Sequence, residues 1–193
     1  NAYHVKKLIL FSSLESAAFK IKKSSSYEVQ DFKFYPESII YIRNCMFDFF
    51  NIKNHDVIKG KRIFLGRKNS RRKYNQNEIF SFFKKNNFKI IFPEDLTLEE
   101  QIKFFHNAEI IAGPTGAAWT NIIFCNKYCR GIIWMEEILE EFSCFSNIAS
   151  IVGMDLFYLL HDSDENSIDK SYSANYNLDV SDVENLFMKV TNL

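Results

Sequence analysis

The chain has 193 residues, 47% of them apolar, with 24 basic and 24 acidic side chains. That is enough for one sizeable packed domain, and too apolar for intrinsic disorder. A formal net charge of zero excludes bulk attraction to nucleic acid or anionic lipid, and no run approaches the ~20 apolar residues that span a bilayer. Cys125 and Cys129 have the spacing of half a metal site, but no second pair follows and the four histidines are scattered. Reduced thiols, buried or idle, and a reducing compartment fit better. The first two residues, Asn1 and Ala2, read as the remnant of a tag. Residues 3–193 then read as one α/β domain, a piece of a longer protein.

Taken in chain order, residues 5–11 read as a buried strand and 24–26 as a loop. Residues 36–52 carry apolar side chains at helical spacing, with Pro36 suited to a first turn. Residues 62–66 form a strand, followed by a loop with five cations in seven residues, Arg67 to Lys73. A helix over 75–85 has Asn75 or Asn77 as its cap. A strand over 88–92 stops at Pro93. Thr97 and Glu100 are spaced as a capping box for a helix ending at His106.

A strand over 109–112 then leads into the most informative stretch, Gly113-Pro114-Thr115-Gly116-Ala117. The reading is a turn from the carboxyl end of a strand into a helix over 117–125. The first amides of such a helix are free and its dipole end is positive, which suits an anion. Further elements follow: a strand over 131–135, a helix over 139–152, a strand over 154–160 and a polar excursion over 161–174. A last helix is capped by Ser181 with Glu184.

Strands alternate with helices from residue 62 onward. That pattern predicts a Rossmann-like, doubly wound α/β fold with a mostly parallel sheet. In such sheets ligands bind outside the carboxyl ends of the strands, at the switch point. Two loops belong to that class, residues 66–73 and 113–115.

The turn is neither a Walker loop nor a dinucleotide fingerprint. Gly113 would relieve a tight turn, and Gly116 would let a phosphate approach the backbone. Thr115 and Thr120 could add hydroxyl donors, and Asn121 could brace the turn or reach a ligand. An ordinary strand-to-helix turn with a capping Thr is an equal alternative. Arg67 directly follows a strand, and Arg forks suit diphosphate oxygens. The usual fate of such a charge run is a solvated loop, which fits its outer cations. Gln101 reads as a packing or capping residue. Trp119 and Trp134 could stack on a base or sugar, with burial the better fit for Trp134. No acid/base pair declares itself, and Glu100, Glu136, Glu137, Asp95 and His106 read as surface or capping groups.

The run over 62–134 resembles the glycosyltransferase family 61 domain. The resemblance rests on Leu65-Gly66-Arg67, Arg71-Arg72, Asn75-Gln76 and Asn87-Phe88-Lys89-Ile90-Ile91-Phe92-Pro93-Glu94. It continues through Glu100-Gln101, Gly113-Pro114-Thr115-Gly116-Ala117 and Asn121. Three positions depart: Gly66 stands for Ser, Gln76 for Glu, and Thr115 for His. Thr can still donate a hydrogen bond to a phosphate, but it carries no charge.

The resemblance implies one half of a GT-B type glycosyltransferase, its donor-binding half. It implies sugar transfer with inversion and without a metal, from a nucleotide sugar to a glycan acceptor, in capsular or surface polysaccharide biosynthesis. No cofactor besides the donor substrate is implied, and the place is the cytoplasm, with any membrane attachment made by parts outside this chain. Arg67, Arg72, Gly113, Thr115, Gly116 and Ala117 would hold the donor diphosphate, with Asn75, Gln101, Thr120 and Asn121 in support. The general base would come from the other half, so this piece alone would be inactive. A non-catalytic nucleotide- or anion-binding module is the alternative, favoured by Thr115 and Gln76. A purely structural α/β domain is the third reading.

Overall fold

The apolar runs in the middle of the chain pair into a single parallel sheet. The computed structural model describes residues 20–21, 27–28, 34–53, 61–68, 72–139, 142–162 and 175–193. Two short strands, β1 (Lys20–Ile21) and β2 (Tyr27–Glu28), form an antiparallel pair. The main sheet contains β3 (Arg62–Leu65), β4 (Phe88–Ile91), β5 (Ile110–Pro114), β6 (Arg130–Glu136) and β7 (Asp155–His161). Its order is β4-β3-β5-β6-β7, with every neighbour parallel. The chain steps outward from β3 to β4, then crosses back to β5. The switch point therefore lies between β3 and β5, where the carboxyl ends open a crevice.

Helices cover both faces, which is why the strands are apolar throughout rather than alternating. The helices are α1 (Pro36–Phe49), α2 (Gln76–Lys85), α3 (Leu98–His106), α4 (Cys144–Val152) and α5 (Val180–Thr191). Successive side chains leave a strand on opposite faces. Ile63, Leu65, Ile111 and Ile133 thus pack on one face with Phe47, Phe105, Trp119 and Ile148. Phe64, Ile110, Ala112, Ile132 and Trp134 pack on the other with Ile79, Phe83, Val183 and Phe187. Trp119 and Trp134 are both fully buried, so neither is placed to stack on a base. Burying one such side chain contributes roughly 1.5–3 kcal/mol, and these two also fix the strand ends that carry the site.

Several expected boundaries move for identifiable reasons. The predicted strand over 109–112 runs on to Pro114, so Gly113 and Pro114 are sheet residues pairing Ile133 and Trp134. The β3 ladder ends opposite Ala112, so the missing N–H of Pro114 interrupts no pairing. The helix expected over 117–125 is a 3₁₀ helix, Ala117–Phe124. Its first turn is tightened by Trp119, whose amide donates to Gly116 O at 2.9 Å and whose indole donates to Pro114 O at 3.0 Å.

Thr97 and Glu100 do form the capping box. Asn75 is the N-cap of α2 by position, without a side-chain cap bond. The last helix is capped by Asp179, whose carboxylate accepts from Ser181 N at 2.8 Å, rather than by Ser181. The helix expected over 139–152 begins at Cys144, after a short 3₁₀ turn at Glu137–Leu139. The strand expected over 5–11, the loop over 24–26 and most of the excursion over 161–174 lie outside the described residues.

Candidate functional site

Arg67 leaves β3 two residues after its end and turns toward β5. Its Nη2 donates to the carbonyl of Thr115. Gly116 makes that approach possible, because a Cβ there would overlap the guanidinium. Its backbone is extended, with φ of 161°, so any residue could adopt the conformation and only the space demands glycine. Gly113 has a similar reason: a Cβ would stand 2.9 Å from Leu65 Cβ, across the β3–β5 pair. Both glycines bring backbone and side chain together, where a tight turn and a phosphate approach were the expectation.

The Thr115 amide donates to Trp134 O at 2.8 Å, so this amide belongs to the sheet. Among the described residues, the amides of Gly116, Ala117 and Ala118 donate to no backbone carbonyl. Thr115 is buried and Ala117 is exposed. The Arg67 guanidinium thus lies against the turn that carries these three amides.

Arg72 sits further along the same edge. Its Nη1 lies 3.3 Å from Glu136 Oε1, with only 11% of the Arg72 side chain exposed and none of Glu136. Glu136 ends β6, so a residue read as surface or capping is a buried acid at the carboxyl edge. Its second oxygen, Oε2, is buried and has no hydrogen-bond partner. His161 ends β7 as the register partner of Glu136, and its ring stacks on Tyr176 at 4.2 Å. Tyr176 in turn stacks on Tyr74 at 5.3 Å and accepts from Trp134 Nε1 at 3.1 Å. The Tyr74 hydroxyl is buried with no partner.

The electrostatics bind these groups into one site. Burial lowers the proton affinity of Arg67, and the nearby charge of Arg72 lowers it further. An arginine nonetheless stays protonated, so two crowded cations share one edge. Burial raises the Tyr74 and Tyr176 hydroxyls above their usual range. Burial also lowers His161, opposed by a backbone bond to Asp162 and by the charge of Glu136. A cavity of about 450 Å³ lies against Arg67, Arg72, Tyr74, Asn75 and Gln76.

The remaining expected residues hold the scaffold. Gln101 donates to Pro93 O and Leu96 O at 3.0 and 3.1 Å, and accepts from Asn121 Nδ2 at 2.9 Å. Asn121 therefore braces. The Thr120 hydroxyl donates to Ala117 O at 2.7 Å. Asn75 pairs both ways with Leu178, donating at 2.9 Å and accepting at 3.0 Å. Lys68 is exposed and pairs with Asp95 at 2.5 Å. Arg71 lies outside the described residues. Gly66, one of the three departures, has the Phe92 ring 2.7 Å from where a Cβ would stand.

Sequence reading missed Glu136, His161, Tyr74 and Tyr176. An acid closing the buried run of β6 was a usable signal for Glu136, given where such sheets bind ligands. Tyr176 had none, because it joins the site across 102 residues through Lys73 and Asn175.

A five-strand parallel sheet covered by helices on both faces makes this an α/β protein of Rossmann-like type. The family model Glycosyltransferase 61 matches residues 3–132, and the chain belongs to that family. No curated protein matches it. The matched span takes in both the arginine loop and the β5 turn and stops inside β6, before Glu136. Membership implies a glycosyltransferase, with a sugar donor and a sugar-accepting substrate. Among the described residues, no helix is long and apolar enough to cross a membrane, and no group of three metal-ligating side chains occurs.

Proposed function

We propose that this chain is the donor-binding half of a GT-B glycosyltransferase, holding the diphosphate of a nucleotide sugar at the β3–β5 switch point. The convergence of Arg67 with the Thr115–Gly116 backbone carries this reading. Arg67 and Arg72 face the diphosphate as it leaves, and the open amides of Gly116 and Ala117 complete its cradle. Thr115 offers its hydroxyl, because its amide and carbonyl are already paired. Gly113 permits the strand contact that puts the turn beside Arg67. Asn75, Gln101, Thr120 and Asn121 hold the walls.

Transfer is inverting: an acceptor hydroxyl attacks the anomeric carbon, its proton passes to a base from the other half, and the nucleotide diphosphate departs. The guanidiniums stabilise the charge that develops on it, and they do so without reorganising. The protein's own cations fill the role a metal would have. The product is a capsular or surface glycan, made on the cytoplasmic side.

Calorimetric titration with UDP, GDP and CMP tests the pocket. One nucleotide is expected to bind, and Arg67→Ala to weaken it by about 1.5–3 kcal/mol, the range for a charged hydrogen bond. A folded protein that binds none of the three overturns the reading. A full-length protein that binds nucleotide but transfers no sugar favours the non-catalytic binding module instead, for which Thr115 in place of a histidine argues.

A further inference from the structure

Glu136 is the least expected group at this edge. Its carboxylate is wholly withdrawn from water, one oxygen touches Arg72 at 3.3 Å, and the other has no partner. Burying a charge so poorly satisfied is expensive, and an apolar residue of the same size would often be more stable. The environment nevertheless surrounds it closely. Trp134 two residues earlier is tied to Tyr176, and His161 opposite stacks on that same tyrosine.

The neighbour that needs Glu136 is Arg72. The Arg72 side chain is nearly buried and shares the pocket with Arg67, whose charge repels it. That repulsion pushes Arg72 outward, and the Glu136 contact opposes it. We infer that Glu136 is a positioning residue that holds Arg72 inward at the β6 end, so that both arginines face one diphosphate. This inference rests on the diphosphate reading above.

The sign of one substitution separates this role from simple electrostatics. A buried carboxylate near an anion repels it, so removing the charge alone would tighten anion binding. A positioning role gives the reverse. Inorganic pyrophosphate and UDP are titrated against the full chain, Glu136→Gln, Arg72→Ala and the double variant. Glu136→Gln is expected to weaken pyrophosphate by about tenfold, the lower end for a charged hydrogen bond. In the Arg72→Ala background that loss should disappear, leaving affinity unchanged or tighter, since coupled residues are not additive.

Water exchange of the Arg72 Nε–H, followed by NMR without ligand, gives a second readout. It should be slow in the wild type and faster in Glu136→Gln and in the milder Glu136→Asp. Equal or tighter pyrophosphate binding by Glu136→Gln, a further loss in the Arg72→Ala background, or unchanged exchange in both variants overturns the inference while leaving the diphosphate site standing. A wild type that binds neither pyrophosphate nor UDP overturns the site reading itself, and this inference with it.

Discussion

The two edges of the sheet make different use of similar side chains. At the amino edge, Arg62 donates to Asn86 O at 3.1 Å and lies 5.5 Å from the Phe187 ring. Arg130 donates to Val190 O at 3.0 Å, Lys89 covers Phe104 at 4.5 Å, and Lys103 pairs with Glu99. A cavity of about 550 Å³ opens there, larger than the 450 Å³ beside the arginine loop. Yet Arg62, Lys89, Lys103 and Arg130 there already have local partners. At the carboxyl edge, two arginines crowd each other, a buried carboxylate oxygen and a buried phenol lack partners, and three amides stay open. Neither cavity size nor cation count distinguishes the edges. Nor does an unpaired buried group alone, since Asn107 Oδ1 beside the amino-edge cavity also lacks a partner; the carboxyl edge differs in gathering such groups beside two arginines.

Three substitutions bear on that contrast. Gly116→Val should have the largest effect. Its side chain would fill the space of the Arg67 guanidinium, and pyrophosphate affinity should fall by about tenfold or more, as for loss of Arg67 itself. Wild-type affinity in a folded Gly116→Val protein would detach Arg67 from the site.

Arg62→Ala is the matching test at the other edge. It should cost about 1 kcal/mol of stability, for one hydrogen bond and a cation–aromatic contact, read as a lower urea midpoint. Pyrophosphate affinity should not change. A marked loss of affinity would erase the distinction between the edges.

The smallest effect concerns His161. Its folded proton affinity lies below the usual value, chiefly through burial, so the fold favours the neutral ring. That contribution to stability is complete above about pH 6.5, the unfolded value. It is lost as pH falls through the lower folded value. His161→Gln should flatten the stability profile below pH 6.5, and an unchanged profile would remove His161 from the buried cluster.

Much of this architecture was legible in the residues. Parallel α/β topology followed from the alternation of short apolar strands with periodic helices, and Thr97 with Glu100 announced a real capping box. Arg67 and the glycines of the β5 turn were found because their order along the chain matched a known pattern. Their physical roles were not. Gly116 makes room for the Arg67 guanidinium, and Gly113 lies inside a strand. Those facts depend on how β3 sits against β5, which no local window contains. Glu136 looked like a surface acid because its pairing with β7 and its contact with Arg72, 64 residues away, are not local. Asn75 looked like a helix cap, while its side chain bonds Leu178 in both directions.

That last pairing sets a clock on the site. Asn75 and Leu178 are 103 residues apart in sequence, and a ribosome adding roughly 5–20 residues per second needs on the order of 5–20 s to make the second after the first. Until then Tyr176 is missing from its stack with Tyr74 and His161. The arginine loop is made early, and the segment that packs against it comes last.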